Sequence, residues 1–498
     1  MRLGVDFGTT HTVVTMVDRG NYPVVAFEGG DPYPSLVALL PSGELKYGFD
    51  AAAVRHEPGV RIVRSFKRLL ADAGPRAGIE VGGRQILLLD LLGGFLAKVR
   101  EDLLTRSNAE VAEGEPLEAA ISVPANSSSA QRFLTLEAFR VAGFTPVALL
   151  NEPSAAGFEY AHRFRSTITS RREHVLVYDL GGGTFDASLL RMTGKTNEVV
   201  TSEGVRRLGG DDFDEAILAA VLARAGAGEP DEETRELLLE ECARQKEAVG
   251  PNTRKLVLDL SPLDLAPIAL PIEEVWEACA ALVEKSIAAT EPVLSAAEVE
   301  EGDLAGVYVV GGAGAFPLVG RRLRERFGEK RVKRSPHPFA ATAVGLALFL
   351  DTEAGFSLSD RLTRHFGVFR EADAGEEVVF DPIFPKGLPV PAAAQAPATA
   401  VRRYRAAHDV GYFRFVECSR IVEGRPDGDV TPGEAIRFPF LPALRGQPLD
   451  EDTVRRLAEA GPEVEEVYSL TAGGAVEVTI RVPSDGFERT WRLGRQGA

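Results

Sequence analysis

The chain has 498 residues, enough for two to four domains that each have their own core. Its apolar content of 45% and charged content of 26% are typical of globular proteins, which excludes a disordered chain, a collagen-like repeat and a disulfide scaffold. The formal net charge of -17 disfavours binding to nucleic acid or to an anionic membrane surface.

Three signals of a strand followed by a glycine-rich turn dominate the first 350 residues, at positions 3–12, 175–186 and 307–314. The first two place Asp6 and Asp179 at a strand end, just before a turn of small residues, and each turn is followed by a second strand. Each unit therefore predicts a β-hairpin with a tight, glycine-dependent tip, and the pair predicts an internal duplication. Helices are predicted between and after the hairpins, at residues 129–143, 153–164, 212–225, 232–249 and 340–350. Strands mixed with helices indicate two similar α/β lobes.

The pattern changes after about residue 350, where helical periodicity fades and prolines become dense between residues 382 and 397. Short β-like runs follow, and Ala472-Gly473-Gly474 is typical of a hairpin turn between the last two of them. We predict strands at residues 412–418, 435–440, 464–470 and 475–482, with one helix at residues 450–460. The predicted domains are an α/β domain at 1–350, a linker and first-strand region at 351–381, and a small β-sandwich at 382–498.

The cysteines and the chain start favour a cytoplasmic protein. The three cysteines are far apart and form no Cys-x-x-Cys pair, so neither a zinc site nor a disulfide framework is predicted. Met1 is followed almost directly by the strand-like Leu3-Gly4-Val5, so we expect no secretory signal peptide. The longest apolar run, residues 340–350, is about half the ~20 residues that span a bilayer.

The two hairpin turns carry chemistry that suits a nucleotide. An Asp at a strand end supplies a carboxylate for a metal ion, and the adjacent Gly and Thr residues supply backbone N–H groups that can hold phosphate. If the lobes face each other, both hairpins enclose the same phosphates, and Asp6 and Asp179 can reach one magnesium ion, largely through water. The third turn, Gly311-Gly312-Ala313-Gly314, would let the backbone approach a nucleoside.

Further motifs occur in a fixed order around these turns. They are Tyr33-Pro34-Ser35, Phe66-Lys67-Arg68-Leu69, Val123-Pro124-Ala125, Ser129-Ala130-Gln131-Arg132, Asn151-Glu152-Pro153-Ser154-Ala155-Ala156 and Leu208-Gly209-Gly210-Asp211-Asp212-Phe213-Asp214. Together with the three turns, they resemble the DnaK-type heat-shock protein 70 chaperones of the actin-like ATPase group. The resemblance covers about the first 350 residues, and the β-rich remainder resembles the peptide-binding sandwich of that family in pattern only. It implies a two-lobed, actin-like ATPase domain of the duplicated ribonuclease H-like type, followed by a β-sandwich.

The resemblance also implies a site for ATP or ADP with Mg²⁺. Lys67 would lie beside the γ-phosphate, and Glu152 would act through water near the magnesium ion and the attacking water. Thr184 would contact phosphate, and Asp179 and Asp186 would be the catalytic carboxylates of the second hairpin. The cofactor-binding residues would be Gly8, Thr9, Thr10, Gly181, Gly182, Gly183, Thr184, Lys246, Gly311, Gly312 and Ala313. His11 follows the first Thr pair, where a lone histidine is more typical of a turn residue than of a catalyst.

The sequence departs from the family around the adenosine. Ala313 and Ala315 stand where the family has Ser and Arg, and Ala243 replaces a Glu. Glu247 occupies a position that is often Arg in the eukaryotic members. Two polar contacts and one stacking plane are missing, so base selectivity is not determined by this pattern.

The control elements depart as well. The join between the domains holds only two apolar residues, Phe356 and Leu358, where the family has a leucine run, so we expect weakened interdomain coupling. Ala148 stands where bacterial members carry an Arg that meets the J-domain partner, so no conventional J-domain contact is expected. No long helical segment follows the predicted sandwich, so we expect no helical lid.

Two function classes stay open on the sequence. One is an ATP-hydrolysing chaperone that binds unfolded or apolar polypeptide segments and works with a nucleotide-exchange factor. The other is an actin-like, ATP-dependent switch whose β domain binds one specific protein partner. A small-molecule kinase is disfavoured because the β-sandwich would have no evident role in it.

Overall fold

The computed structural model describes residues 1–30, 32–71, 77–81, 83–391, 395–433, 435–449 and 454–492. Its chain divides into two compact units. The first unit contains Met1–Arg68, Lys98–Ala125 and Leu150–Leu358. The second contains Leu69–Ala97, Asn126–Leu149 and Ser359–Ala498.

The first sheet of the first unit is built on the predicted N-terminal hairpin, which we name the first hairpin. Its strands Arg2–Phe7 and His11–Met16 pair in antiparallel fashion, and Glu118–Val123 pairs in parallel on the other side of Arg2–Phe7. Most side chains of these strands are buried, as is usual where both faces of a sheet are covered. The strand order is Thr145–Asn151, Glu118–Val123, Arg2–Phe7, His11–Met16 and Tyr33–Pro34.

The second sheet repeats this arrangement around the second hairpin, His174–Leu180 and Thr184–Thr193. The strand Leu304–Val310 pairs in parallel with His174–Leu180, as Glu118–Val123 does with Arg2–Phe7 in the first sheet. The strand order is Val332–Arg334, Leu304–Val310, His174–Leu180, Thr184–Thr193, Thr196–Arg206 and Ser357–Ser359. The duplication predicted from the two turns is therefore present in the strand topology.

The helices of the first unit pack on these sheets. They are Gly48–Val54, Glu152–Arg163, Gly210–Ala225, Glu232–Glu247, Ile272–Ala288, Thr290–Ala296, Pro317–Phe327 and Ala341–Leu350, and Leu88–Thr105 runs across both units. The predicted helices at 153–164, 212–225, 232–249 and 340–350 are thus confirmed to within two residues at each end. A Cβ atom on Gly345 would collide with the carbonyl oxygen of Ala155, so these two helices touch backbone to backbone. Among the described residues, no helix is both long and apolar enough to cross a membrane.

Two small pairings complete the first unit. A three-stranded sheet has the order Leu45–Tyr47, Val37–Leu39 and Arg61–Val63. The strands Lys255–Leu258 and Ile268–Pro271 form an antiparallel pair.

The second unit contains two antiparallel sheets that share one core. One sheet has the order Glu377–Phe384, His365–Ala372, Val410–Val422 and Arg425–Pro432, with Ile436–Pro439 also paired to Val410–Val422. The other has the order Ala398–Arg405, Glu463–Leu470, Val476–Val482 and Phe487–Arg492. Phe366 and Phe415 from the first sheet pack with Tyr468 and Val478 from the second. The predicted sandwich and its four predicted strands are confirmed, as is the turn at 472–474.

The helix Ser129–Val141 and the hairpin Gly78–Val81 with Arg84–Leu87 also belong to the second unit. Ser128 and Gln131 cap the helix reciprocally, which explains why it starts where it does. Its first backbone N–H, on Ser129, donates to Glu417 Oε1 at 2.9 Å. Arg132 Nη1 donates to the carbonyl of Gly473 at 3.2 Å. The helix is therefore joined to the β-rich part of the unit by hydrogen bonds.

The predicted helix at residues 450–460 is wrong for its described part, and residues 450–453 lie outside the described residues. From Val454 to Ala460 the segment is irregular, apart from an isolated β-bridge between Arg456 and His408, because its backbone bonds to another loop. Asp409 accepts from the backbone N–H of Arg455 at 2.8 Å, and Leu457 N–H donates to the carbonyl of Ala407 at 2.9 Å. These partners replace the i to i−4 bonds of a helix.

The join between the predicted domains forms an edge strand. The strand Ser357–Ser359 lies beside Thr196–Arg206, and Ser357 N–H donates to the carbonyl of Lys195 at 3.1 Å. The ring of Phe356 meets that of Phe158 edge-on at 5.7 Å, and Phe356 and Leu358 are both partly buried. The two apolar residues of the join, whose small number leads us to expect weakened coupling, therefore pack within the first unit.

Candidate functional site

Two cavities adjoin in the first unit. The smaller has a volume of about 70 Å³ and the larger about 390 Å³. Five residues line both cavities, namely Thr10, His11, Gly182, Gly312 and Phe339. The two cavities therefore form one continuous site with a narrow polar end and a wide end.

The tips of the two hairpins meet at the narrow end. A Cβ atom on Gly182 would lie 2.6 Å from Thr10 Cγ2, and one on Gly8 would collide with the carbonyl oxygen of His11. The third turn closes on the same place: Gly311 has φ +80°, and a Cβ there would lie 2.7 Å from Asp179 Oδ1. The glycines at these positions allow three backbone turns to approach one cavity.

Three carboxylates and one ammonium share the smaller cavity. They belong to Asp6, Glu152, Asp179 and Lys67. Lys67 Nζ lies 2.7 Å from Glu152 Oε1, and Asp6 accepts a hydrogen bond from Ser122 Oγ at 2.7 Å. The cavity therefore carries an excess of negative charge when the acids are ionised.

The charge excess is visible in the pKa values of the two aspartates. Burial, and then repulsion by Glu152, raise the pKa of Asp6 from 3.8 to about 6. Burial, followed by repulsion from Glu152, Asp6 and Asp186, holds the pKa of Asp179 well above its usual value. A bound cation would remove this cost. Within the described part of the chain, no group of three or more His, Cys, Asp or Glu side chains is arranged to ligate a metal ion directly.

Local structure places the lysine and the glutamate. Lys67 lies in the 3₁₀ turn Phe66–Ala71, with its ammonium 5.5 Å from the centre of the Phe7 ring. Glu152 is the first residue of the helix Glu152–Arg163, and Pro153 follows it in the first turn. A carboxylate at a helix N-terminus is favoured by the helix dipole, and the ion pair with Lys67 holds Glu152 at the cavity.

Most residues that the sequence proposed for the site line these cavities. The smaller cavity is lined by Asp6, Gly8, Thr9, Thr10, Lys67, Glu152, Asp179, Gly181, Gly182, Thr184, Gly311 and Gly312. Lys246 and Ala313 line the larger one. Of the described residues that were proposed, Gly183 and Asp186 stand outside both linings. Gly183 packs against Arg68, and Asp186 faces Asp179 on the neighbouring strand.

The larger cavity contains the four departures noted in the sequence around the adenosine. It is lined by Ala243, Glu247, Ala313 and Ala315. Lys246 is fixed at its wall by an ion pair with Asp214 at 2.7 Å and by donation to the carbonyl of Gly210 at 2.7 Å. The side chains of Ala313 and Ala315 therefore cannot form a hydrogen bond with a ligand in this cavity.

Several contacts around the site were missed by the sequence reasoning. Arg68 Nη2 lies 2.7 Å from Asp212 Oδ2, and Ser65 donates to Asp211 at 2.5 Å, so the turn that holds Lys67 is tied to the helix Gly210–Ala225. Arg55 and Glu240 pair at 2.7 Å, and both line the larger cavity. Arg68 and Asp212 belong to the quoted motifs, but only the fold shows that they meet.

The sequence matches one protein family and several proteins that are named as chaperones. A sequence model of the Hsp70 protein family matches residues 2–362. The chaperone protein HscA homolog of Ralstonia nicotianae is 34% identical over 372 residues, which cover 71% of this chain and 58% of that protein. Chaperone protein HscA of Cronobacter sakazakii is 32% identical over 376 residues, with the same coverage of 71% and 58%.

A third relative matches the chain more completely. The HscA homolog of Methylococcus capsulatus is 28% identical over 509 residues, which cover 98% of this chain and 77% of that protein. The chain spans less than two thirds of the length of the first two relatives.

Proposed function

Because the chain belongs to the Hsp70 protein family, whose ATPase domain is actin-like, we propose that it binds ATP in the two adjoining cavities and hydrolyses it slowly. One observation carries the proposal: the tips of the two hairpins meet around a cavity that holds Asp6, Asp179, Lys67 and Glu152. Backbone N–H groups at glycine turns suit phosphate, and the narrow end adjoins a wider cavity for the nucleoside.

The residues of the narrow end divide the chemical roles. Asp6 and Asp179 would hold Mg²⁺, largely through water, because burial and repulsion between neighbouring acids raise their pKa values, and a divalent cation would offset both effects. The bound ion supplies positive charge to the phosphates. Lys67 places a second positive charge beside the terminal phosphate, Glu152 orients the attacking water, and Thr184 contacts phosphate through its hydroxyl. Asp186 does not line the cavity, and it would act on Asp179 from the neighbouring strand through charge repulsion.

The nucleoside would occupy the larger cavity. Lys246 is held in place by Asp214, and Gly311, Gly312 and Ala313 let the backbone approach the ligand. Since Ala313 and Ala315 provide neither a hydrogen bond nor a stacking plane, the base is held less tightly and less selectively than in family members that keep Ser and Arg.

We further propose that the β-rich part binds unfolded, apolar polypeptide segments in the cytoplasm. Two considerations support this: the relatives are named chaperones, and the second unit contains the two antiparallel sheets expected of the peptide-binding sandwich. A nucleotide-exchange factor would be a partner, whereas Ala148 argues against a conventional J-domain contact. Coupling between nucleotide binding and peptide binding would be weakened, because the join has two apolar residues, Phe356 and Leu358, where the family has a leucine run.

A second candidate is an actin-like switch whose β domain binds one folded partner. The observation that favours it is the loss of family control elements at Ala148 and at the join. ATP turnover of the purified protein distinguishes the two functions. Stimulation by several unrelated denatured proteins, but not by their native forms, supports the chaperone. Stimulation by a single folded partner supports the switch, and turnover no higher than that of Lys67→Ala contradicts both.

A further inference from the structure

His11 lies at the junction of the narrow and wide ends of the site. It is the first residue of the strand His11–Met16, directly after the turn of the first hairpin. It lines both cavities, and so does Phe339. A nucleotide that fills both ends must pass His11 where its ribose meets its phosphates. From the sequence, His11 is predicted to be a turn residue and not a catalyst.

The imidazole ring packs against Phe339, but one of its nitrogens has no hydrogen-bond partner among the described residues. Its ring meets that of Phe339 edge-on, with centroids 5.7 Å apart and planes at 73°. Its Nδ1 atom is buried and has no hydrogen-bond partner among the described residues. A buried polar atom without a partner destabilises the folded state, so such atoms in folded proteins usually meet a ligand or water.

The charges that face His11 come from several elements. Glu247 and Lys246 approach from the helix Glu232–Glu247, and the acids and Lys67 of the narrow end line the smaller cavity with it. Burial lowers the pKa of His11, Lys246 adds to this, and Glu247 opposes it. The ring is therefore neutral near pH 7 while no anion is bound.

We propose that His11 contacts the bound nucleotide at the start of its phosphate chain, and that proton uptake by His11 makes nucleotide affinity depend on pH. The inference rests on the proposed nucleotide-binding function. Phosphate oxygens beside the ring favour the protonated imidazole, so binding is coupled to proton uptake. Affinity for ADP then rises as the pH falls, and His11 provides a contact in a site where Ala313 and Ala315 provide none.

Asp6 titrates in the same range, with the opposite effect, and burial and repulsion also raise the pKa of Asp179. Protonation of Asp6, whose pKa is about 6, would weaken binding of a magnesium nucleotide at low pH. The informative quantity is therefore the ratio of the dissociation constants of a His11 variant and the wild type at each pH. Asp6 and Asp179 are present in both proteins, so their effects largely cancel in this ratio.

The test is calorimetric titration of the full chain with magnesium ADP and with adenosine from pH 6 to pH 8.5. His11→Phe keeps a ring against Phe339 but removes both nitrogens, and His11→Gln keeps hydrogen bonding without titration. His162→Phe is the matched control, since His162 is exposed and lies outside both cavities. For His11→Phe we expect ADP binding to weaken about tenfold at pH 6.5 and less at pH 8.5, with adenosine changed less than about threefold.

The outcomes separate this inference from the proposed function. Wild-type protein that binds no ADP would refute the proposed function. Wild-type protein that binds ADP, with a His11→Phe variant of equal affinity at every pH, would overturn the role of His11 and leave the function intact. If His11→Phe does not fold, His11→Gln decides: it should lose the wild-type pH dependence, and a profile parallel to the wild type would overturn the inference.

Discussion

Lys67 Nζ and Glu152 Oε1 lie 2.7 Å apart in a cavity where 7% of the lysine side chain and 12% of the glutamate side chain are exposed. The two residues are 85 positions apart in the sequence, on a 3₁₀ turn and at a helix start. A buried pair of this kind is costly to break from one side, because the remaining charge loses its partner. The pair thus keeps a positive charge and a carboxylate in place beside the expected position of the phosphates.

The first prediction concerns Lys67. Lys67→Ala should reduce ATP turnover by ~10²-fold or more, because charge stabilisation of the transferring phosphoryl group is lost. Nucleotide should remain bound, since the backbone turns at Gly8 and Gly182 are unchanged. Single-turnover hydrolysis with Lys330→Ala as an exposed control checks this. Turnover of Lys67→Ala at the wild-type rate would show that the role of Lys67 is wrong.

The second prediction concerns Asp6, whose pKa rises from 3.8 to about 6 on folding. Because the folded-state pKa is the higher one, Asp6 contributes stability that is complete below pH 3.8 and is lost as the pH rises through 6. At about 1.4 kcal/mol per pKa unit, the loss is roughly 3 kcal/mol. Asp6→Asn should therefore raise the free energy of unfolding of the nucleotide-free protein at pH 7.5 by up to that amount, and it should impair ATP hydrolysis.

Denaturant unfolding at pH 4 and pH 7.5 measures this difference. The gain from Asp6→Asn should be small at pH 4, where the wild-type carboxyl is already largely protonated in the folded state. Asp303→Asn, at an exposed position, is the matched control. An equal effect at both pH values would mean that Asp6 does not carry the buried charge.

The third prediction concerns the nucleoside end. Replacing Ala313 by Ser and Ala315 by Arg should tighten ADP binding by roughly tenfold or more, since each contact contributes ~1 kcal/mol and 1.4 kcal/mol is about one decade. Ala315 is exposed and lines the larger cavity, so an arginine there has room to reach the base. Calorimetric titration, with Ala296→Arg as an exposed control, checks the gain. No gain would mean that other residues, such as Glu247, hold the base.

The fourth prediction is that ATP changes the affinity for an apolar peptide less than about tenfold. A near-complete shift between two states needs ~5.5 kcal/mol of differential contacts. Phe356 and Leu358 are only partly buried, so each contributes less than the ~1.5–3 kcal/mol of a fully buried side chain. Fluorescence anisotropy of a labelled apolar peptide in ATP and in ADP measures the change.

A shift much larger than tenfold would point to contacts that the sequence did not indicate. The hydrogen bond from Ser129 to Glu417 is one such contact, because it joins a segment of the family's ATPase region to the β-rich segment. Glu417→Ala, which removes the acceptor, should then reduce the shift if this bond contributes to it. The same variant should leave the shift unchanged if the coupling runs through Phe356 and Leu358 alone.

Local patterns were sufficient for much of the fold. The two hairpins are visible in the sequence because an Asp, a glycine turn and a return strand lie within about 15 residues of each other. The helix Ala341–Leu350 is visible because an apolar run of its length has few alternatives to a buried helix. The helix predicted at 450–460 failed because local helical preference was outweighed by backbone partners at Ala407 and Asp409.

The sequence by itself determined which chemical groups are present and that they stand at two duplicated turns, because turn geometry depends on residues that are neighbours in the chain. Only the tertiary structure decided which of them meet. Lys246 pairs with Asp214, and His11 packs on Phe339 more than 300 positions away. Such contacts depend on the packing of whole sheets and helices, which no short pattern encodes, and the unpartnered nitrogen of His11 is a property of that packing.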